Sequence, residues 1–260
     1  PHCREYTNDQ PIHICNNCGF VYVRNRRSAN EIAETWSSEL YGAGYTARIP
    51  AVKARQMYVA ETIDTEIGLK GNTLCDIGGG EGQFLEIAKA EPYGALPFTV
   101  EPSESNCQML TTLGIENFQG TIEEFLDSNS AKLGSFDIVT IMWTLENCRS
   151  CREMLTAANA LLKTGGHAVV ATGSRILVPF KKPLHYYLGK NPADTHAFRF
   201  SANTLRGLLS VSGFETVYTN RFIDSEFLLE IGKKVGGDTD IPWEGDDAEA
   251  VMDFFDRWHI

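Results

Sequence analysis

From residue 72 onward, short apolar runs alternate with stretches whose apolar residues recur at helical spacing. The runs at 73–77, 96–101, 115–118, 136–142 and 167–172 predict strands. The stretches at 82–90, 104–113, 122–127 and 150–163 predict helices. Strands that take turns with helices imply a parallel sheet covered on both faces. In such sheets a ligand lies beyond the carboxyl ends of the strands, where strand order reverses. Upstream, residues 28–68 read as helical, over 29–34 and again from Val52 to Ile67. At the far end Val251, Phe254, Phe255 and Trp258 fall at i, i+3, i+4 and i+7, one apolar stripe on a last helix. That stripe is expected to dock on its own domain, with a partner protein as the alternative.

The first strand of the alternating region ends in Leu74-Cys75-Asp76-Ile77-Gly78-Gly79-Gly80-Glu81-Gly82-Gln83-Phe84. An apolar run, an acid, three spaced glycines and a helical pattern read as strand, tight turn and helix start. Glycine lets the backbone approach a ligand, because it has no Cβ and tolerates positive φ. The dinucleotide fingerprint would need a third glycine at 83, where Gln83 stands. The spacing is instead Asp-x-Gly-x-Gly-x-Gly, from Asp76 to Gly82. Glu101 closes the next apolar run, 21 residues past Gly80, where a carboxylate takes ribose hydroxyls.

On these residues the chain resembles the class I S-adenosylmethionine-dependent methyltransferases over about 40–232. The turn Leu161-Leu162-Lys163-Thr164-Gly165-Gly166-His167 carries the resemblance further. The resemblance implies S-adenosylmethionine as cofactor, held by Asp76, Gly78, Gly80, Glu101 and Pro102. It also implies Gly120 and Thr121 beside the adenine, and Met142 and Trp143 after the fourth strand. Tyr41 and Tyr45 flank glycines in a segment that could fold over the cofactor. Trp143-Thr144-Leu145-Glu146-Asn147 stands where many relatives carry His-x-Leu-Glu-His, so no base carries over there. The fold class expected is α/β: a doubly wound, mostly parallel seven-stranded sheet, Rossmann-like, with a small N-terminal zinc-knuckle hairpin.

Composition narrows the partners. A net charge of −11 disfavours a protein that grips long stretches of phosphate backbone, since such binding draws on Lys and Arg. Much of the excess sits at 238–256, where Asp238, Asp240, Glu244, Asp246, Asp247, Glu249, Asp253 and Asp256 precede one base, Arg257. That acidic tail offers a surface to a protein partner. No apolar run reaches the ~18 residues of a membrane span, and no signal-peptide pattern is present, so a cytoplasmic location without membrane contact is expected. Seven cysteines without such a signal point to thiols or metal ligands rather than disulfides.

Cys15-x-x-Cys18-Gly19 is a knuckle that aims two thiolates at one point. Cys3 is a third ligand for a structural zinc, and the fourth is expected from a cysteine just before Pro1, or from His2 or His13. Cys148-x-x-Cys151, at a helix start, reads as inert. Between 173 and 201 bases and aromatics cluster, among them Arg175, Lys181, Lys182, His185, Tyr186 and Lys190. They suggest a small anionic acceptor, a sugar or nucleotide sugar. Thr195-His196-Ala197-Phe198-Arg199-Phe200-Ser201 is similar to a segment of the zinc-bearing sugar C-methyltransferases. Thr195 stands where their glutamate would be, and a chain without their large C-terminal domain is expected. His196 is the candidate base, followed by His185 and Tyr45.

The division expected is a knuckle hairpin over 1–27, a helical cap over 28–70, a methyltransferase core over 71–235 and an acidic tail over 236–260. The competing functions are a zinc-containing RNA base methyltransferase and a non-catalytic cofactor-binding scaffold.

Overall fold

The computed structural model describes residues 2–4, 12–24, 26–35, 49–173, 196–220, 228–235 and 245–259. Tyr41, Tyr45, His185 and most of the basic 173–201 stretch therefore lie outside the described residues, as does the side chain of Cys3.

The centre is a seven-stranded sheet. Its strands are β4 (Thr73–Ile77), β5 (Leu96–Glu101), β6 (Glu116–Gln119), β7 (Phe136–Met142), β8 (Leu162–Thr172), β10 (Phe214–Thr219) and β11 (Leu228–Lys234). The order across the sheet is β10-β11-β8-β7-β4-β5-β6. Strands β4 to β8 run parallel, and β11 runs antiparallel to both of its neighbours. Strand order reverses between β4 and β7, so the carboxyl ends there open a crevice.

Helices cover both faces, as the alternation predicts. α2 (Ile49–Ile67), α3 (Gln83–Lys89) and α4 (Glu104–Thr112) pack on one face through Val59, Ile63, Phe84, Leu85 and Leu110. α5 (Ile122–Ser128), α6 (Cys151–Leu161) and α7 (Ala202–Val211) cover the other through Phe125, Leu155, Leu161, Leu205 and Leu209. Local chemistry sets the ends of these helices. Pro50 stands in the first turn of α2, where its missing N–H costs nothing, and Gly68 at φ +78° closes it. Thr121 and Glu124 form a capping box at the start of α5, and Ser150 caps α6. The helix predicted over 150–163 stops at Leu161. Leu162 begins an eleven-residue β8 that takes in the Gly165-Gly166-His167 turn, with a register irregularity against β7.

A second sheet has the order β1-β2-β3-β9. Its strands are β1 (His2–Arg4), β2 (Ile12–Ile14), β3 (Val21–Val23) and β9 (Phe198–Arg199). The pairing of β3 with β9 ties the N-terminal hairpin to the segment that carries His196. α1 (Ala29–Thr35) follows the hairpin. The last helix, α8 (Ala248–His259), buries Val251 and Phe255 against Ile14 and Val21. The apolar stripe of the tail is thus used inside the chain, and hairpin and tail share one small core. Among the described residues no helix is long and apolar enough to cross a membrane.

Candidate functional site

A cavity of about 290 Å³ opens at the carboxyl ends of β4, β5, β6 and β7. Asp76, Gly78, Gly80, Glu101, Pro102, Gly120, Thr121, Met142 and Trp143 all line it, so residues 67 positions apart meet at one place. The topology does this, because parallel strands deliver every βα turn to the same edge of the sheet.

The glycine turn is built for close approach. Gly78, Gly80 and Gly82 have φ of +82°, +55° and +82°. A Cβ on Gly78 would lie 2.6 Å from Thr144 Oγ1, and one on Gly79 would lie 2.3 Å from Thr99 Oγ1. The bare backbone is required by the fold as well as by any ligand. Gly78 N–H donates to Val100 O at 2.8 Å, which fixes the turn to β5.

Glu101 is held in one pose. Its Oε2 accepts Gly80 N–H at 2.8 Å, and its Oε1 accepts Ser103 N–H at 2.9 Å and Asn106 Nδ2 at 3.3 Å. Burial raises its pKa, and these three donors pull the other way. Asp76 is almost fully buried at the end of β4. Burial pushes its pKa up to about 7; the Thr140 hydroxyl, donating at 2.7 Å, lowers it, and nearby Glu101 raises it. A cation entering the cavity would favour the charged form of both acids.

Helix α2 supplies a wall that sequence reasoning missed. Val52, Arg55 and Gln56, spaced i, i+3 and i+4, line the cavity. Gln56 Oε1 and Gln83 Oε1 are buried and have no hydrogen-bond partner among the described residues. A buried acceptor left unpaired costs free energy, so both are suited to take up a donor brought by a ligand. The only available signal was the spacing on α2, which reads equally well as an ordinary amphipathic face. On the other side Ile122, Cys148 and Met154 close the cavity below Gly120 and Thr121. Burial raises the Cys148 thiol well above its usual range, with Cys151 adding to it, and Cys151 itself is pushed up to about 12 by burial. Both thiols stay protonated, as expected of inert cysteines.

Trp143 stands out in the backbone. It is the only described non-glycine residue with positive φ, at +54°, a conformation that costs a large side chain about 1–3 kcal/mol. Its N–H donates to Ala171 O at 2.7 Å, and its carbonyl accepts Asn147 Nδ2 at 3.1 Å, so neighbours impose the pose. Glu146, almost fully buried, braces the same corner. Its Oε1 accepts Gly173 N–H at 2.9 Å, and its carbonyl accepts Ala197 N–H at 2.7 Å. His196, half-buried beside Ala197, is not among the residues that line the cavity.

At the hairpin, Cys15 and Cys18 stand within hydrogen-bonding reach of each other, and the register sets Cys3 opposite His13. His13 is buried and stacks on Tyr22 with ring centroids 5.6 Å apart. Among the described residues no group of three or more His, Cys, Asp or Glu side chains could hold a metal ion. The tail closes over this knuckle, with Asp246 N–H donating to Cys18 O at 2.9 Å.

A family model, described as a methyltransferase domain, matches residues 52–219. The chain is 31% identical over 125 residues to the ubiquinone biosynthesis O-methyltransferase of Vibrio atlanticus, covering 46% of this chain and 50% of that protein. It is 25% identical over 226 residues to the ubiquinone/menaquinone biosynthesis C-methyltransferase of Klebsiella pneumoniae, covering 76% and 88%. The chain therefore spans about half the length of the first of these relatives. Among solved structures, the geranyl diphosphate C-methyltransferase of Streptomyces coelicolor superposes with a TM-score of 0.58 at 15% identity, over 80% of this chain and 98% of that one. The 1,6-didemethyltoxoflavin-N1-methyltransferase of Burkholderia thailandensis, solved with S-adenosylhomocysteine, gives 0.57 at 14%, over 90% and 100%. At such identities these structures share the fold with this chain. With well over half of its length matched by the domain model and the sheet order in place, the chain belongs to the methyltransferase-domain family.

Proposed function

We propose that the chain transfers the methyl group of S-adenosylmethionine to an oxygen or carbon of a small-molecule acceptor. The observation that carries this reading is the meeting of the Asp76–Gly82 turn and Glu101 at one cavity. The unpaired oxygens of Gln56 and Gln83 and the acid Asp76 suit an ammonium group, and the bare backbone of the glycine turn suits close contact. Glu101 would grip the ribose, while Pro102, Gly120 and Thr121 flank the adenine with Ile122 and Met154 beneath it. Tyr41 is kept as a covering residue.

The donor, when bound, supplies an activated methyl group on sulfur. What the protein adds is alignment, and well-oriented reactants gain about 7–11 kcal/mol from it. It also adds proton removal, worth roughly 10²–10⁴-fold from a positioned base. His196 is the proposed base, with His185 and Tyr45 as the alternatives. Isothermal calorimetry with S-adenosylhomocysteine tests the donor reading: micromolar uptake is expected, and none by well-folded protein sinks it.

Two acceptor classes compete. A sugar or nucleotide sugar rests on the bases and aromatics at 173–201. A flat ring is favoured by Ala29, Ile32, Val52 and Trp143, apolar residues of the cavity lining, and two relatives named above belong by name to quinone biosynthesis. Transfer of label from the donor to a panel of phenols and sugar phosphates would separate them. Cys3, Cys15 and Cys18 are proposed to hold a structural zinc in the module formed by hairpin and tail. One equivalent of metal in purified protein, lost in a Cys15→Ser variant, is the expected result.

A further inference from the structure

We propose that the indole of Trp143 is the platform on which a planar acceptor ring lies, and is not a contact to the donor. This rests on the donor reading above. Strand order runs β8-β7-β4-β5-β6 across this part of the sheet. Residues assigned to the donor follow β4 (Asp76 to Gly80), β5 (Glu101, Pro102) and β6 (Gly120, Thr121). The donor therefore extends from the glycine turn toward β6.

Trp143 follows β7, on the opposite side of that turn. Thr144 marks the boundary, because its Oγ1 occupies the space 2.6 Å from where a Gly78 Cβ would be. The indole reaches across to the end of β8. A Cβ on Gly173 would lie 3.4 Å from Trp143 Cδ1, in ordinary contact with the ring. Ala29 and Ile32 of α1 and Val52 of α2 line the same cavity. The indole and these aliphatic side chains offer a ring faces to pack on, and Arg55, Thr144 and Asn147 of the same lining offer partners for a hydroxyl. A phenol would bury its ring against the indole and keep one hydroxyl toward the methyl donor.

The left-handed backbone of Trp143 gives a second, independent reason. A strained conformation held by the Ala171 carbonyl and the Asn147 amide persists where a side chain must point in one direction. Leucine or alanine at 143 would keep the turn and lose the aromatic face.

The test uses the full chain saturated with S-adenosylhomocysteine and titrated with catechol, with glucose 6-phosphate as the non-aromatic comparison. Catechol should bind, and Trp143→Ala should weaken it about tenfold, while S-adenosylhomocysteine affinity changes by less than about twofold. Trp143→Leu, which keeps bulk without a π face, should weaken catechol several-fold, and Trp143→Phe should retain most of the binding. The proposal is overturned if the loaded wild-type protein takes up no catechol, or binds glucose 6-phosphate in preference. It is also overturned if Trp143→Leu loses affinity for S-adenosylhomocysteine as steeply as for catechol, since the indole would then be a donor contact. Failure of the wild-type protein to bind S-adenosylhomocysteine would strike the donor reading itself, a separate and recognisable result.

Discussion

The part of the cavity above β4, β5 and β6 differs in construction from the part above β7. The first is made of backbone: three glycines at positive φ, and two acids whose poses are set by hydrogen bonds from neighbouring strands and turns. The second is made of side chains that arrive from distant segments, with Trp143 after β7, Ala29 and Ile32 from α1, and Val52 from α2. A site made of backbone can be written into one short turn, because its geometry depends on a few residues that are neighbours in the chain. A site for an individual acceptor has to be assembled from whatever surrounds that turn.

This contrast is open to attack, most severely at Gly78. Gly78→Ala drives a Cβ into Thr144 and strains a residue at φ +82°, so S-adenosylhomocysteine affinity should fall about 100-fold, equivalent to ~3 kcal/mol. A near-normal affinity by calorimetry would mean that the turn is not where the donor sits. Glu101→Ala removes the acceptor of three donors and the group assigned to the ribose, and a loss of about tenfold or more is expected in the same assay.

Glu146→Ala probes the other half. It leaves the half-buried Gly173 N–H without its acceptor, which should lower stability in urea by about 1 kcal/mol. Donor affinity should hold, and if it drops as far as in Gly78→Ala, the two halves are not separable. The acid at the boundary predicts a pH effect. With Asp76 raised to about 7, its carboxylate is lost as pH falls through that value, and S-adenosylhomocysteine affinity should fall with it. Asp76→Asn should bind weakly and without that pH dependence.

Glu230, on β11 and away from the cavity, serves as the control. Burial pushes its pKa up to about 8 from an ordinary 4.5, with Arg206 and Thr219 offsetting part of the shift. Its folded-state pKa lies above its unfolded one. The stability it lends is complete below about pH 4.5 and is lost as pH rises through about 8. Melting temperatures of Glu230→Gln should show a flatter profile over that window, with donor affinity unchanged.

Much of this was legible before the structure. The period of the apolar pattern placed β4 to β8 and the intervening helices within a few residues, because a buried strand and an amphipathic helix each impose their own spacing. The turn at Asp76–Gly82 and the acid at Glu101 could be read because backbone geometry there demands particular residues at fixed distances along the chain. The tertiary structure alone decided the rest. Gln56 and Gln83 carry no motif, and only the folded chain buries their oxygens at the cavity without a partner among the described residues. Val251 and Phe255 announce an apolar stripe, but nothing local says that Ile14 and Val21, more than 200 residues earlier, will cover it. Nor does the sequence say that Trp143 will sit at positive φ between two strand ends. Local order follows from local chemistry, whereas a surface made by residues far apart in the chain exists only once the chain has closed on itself.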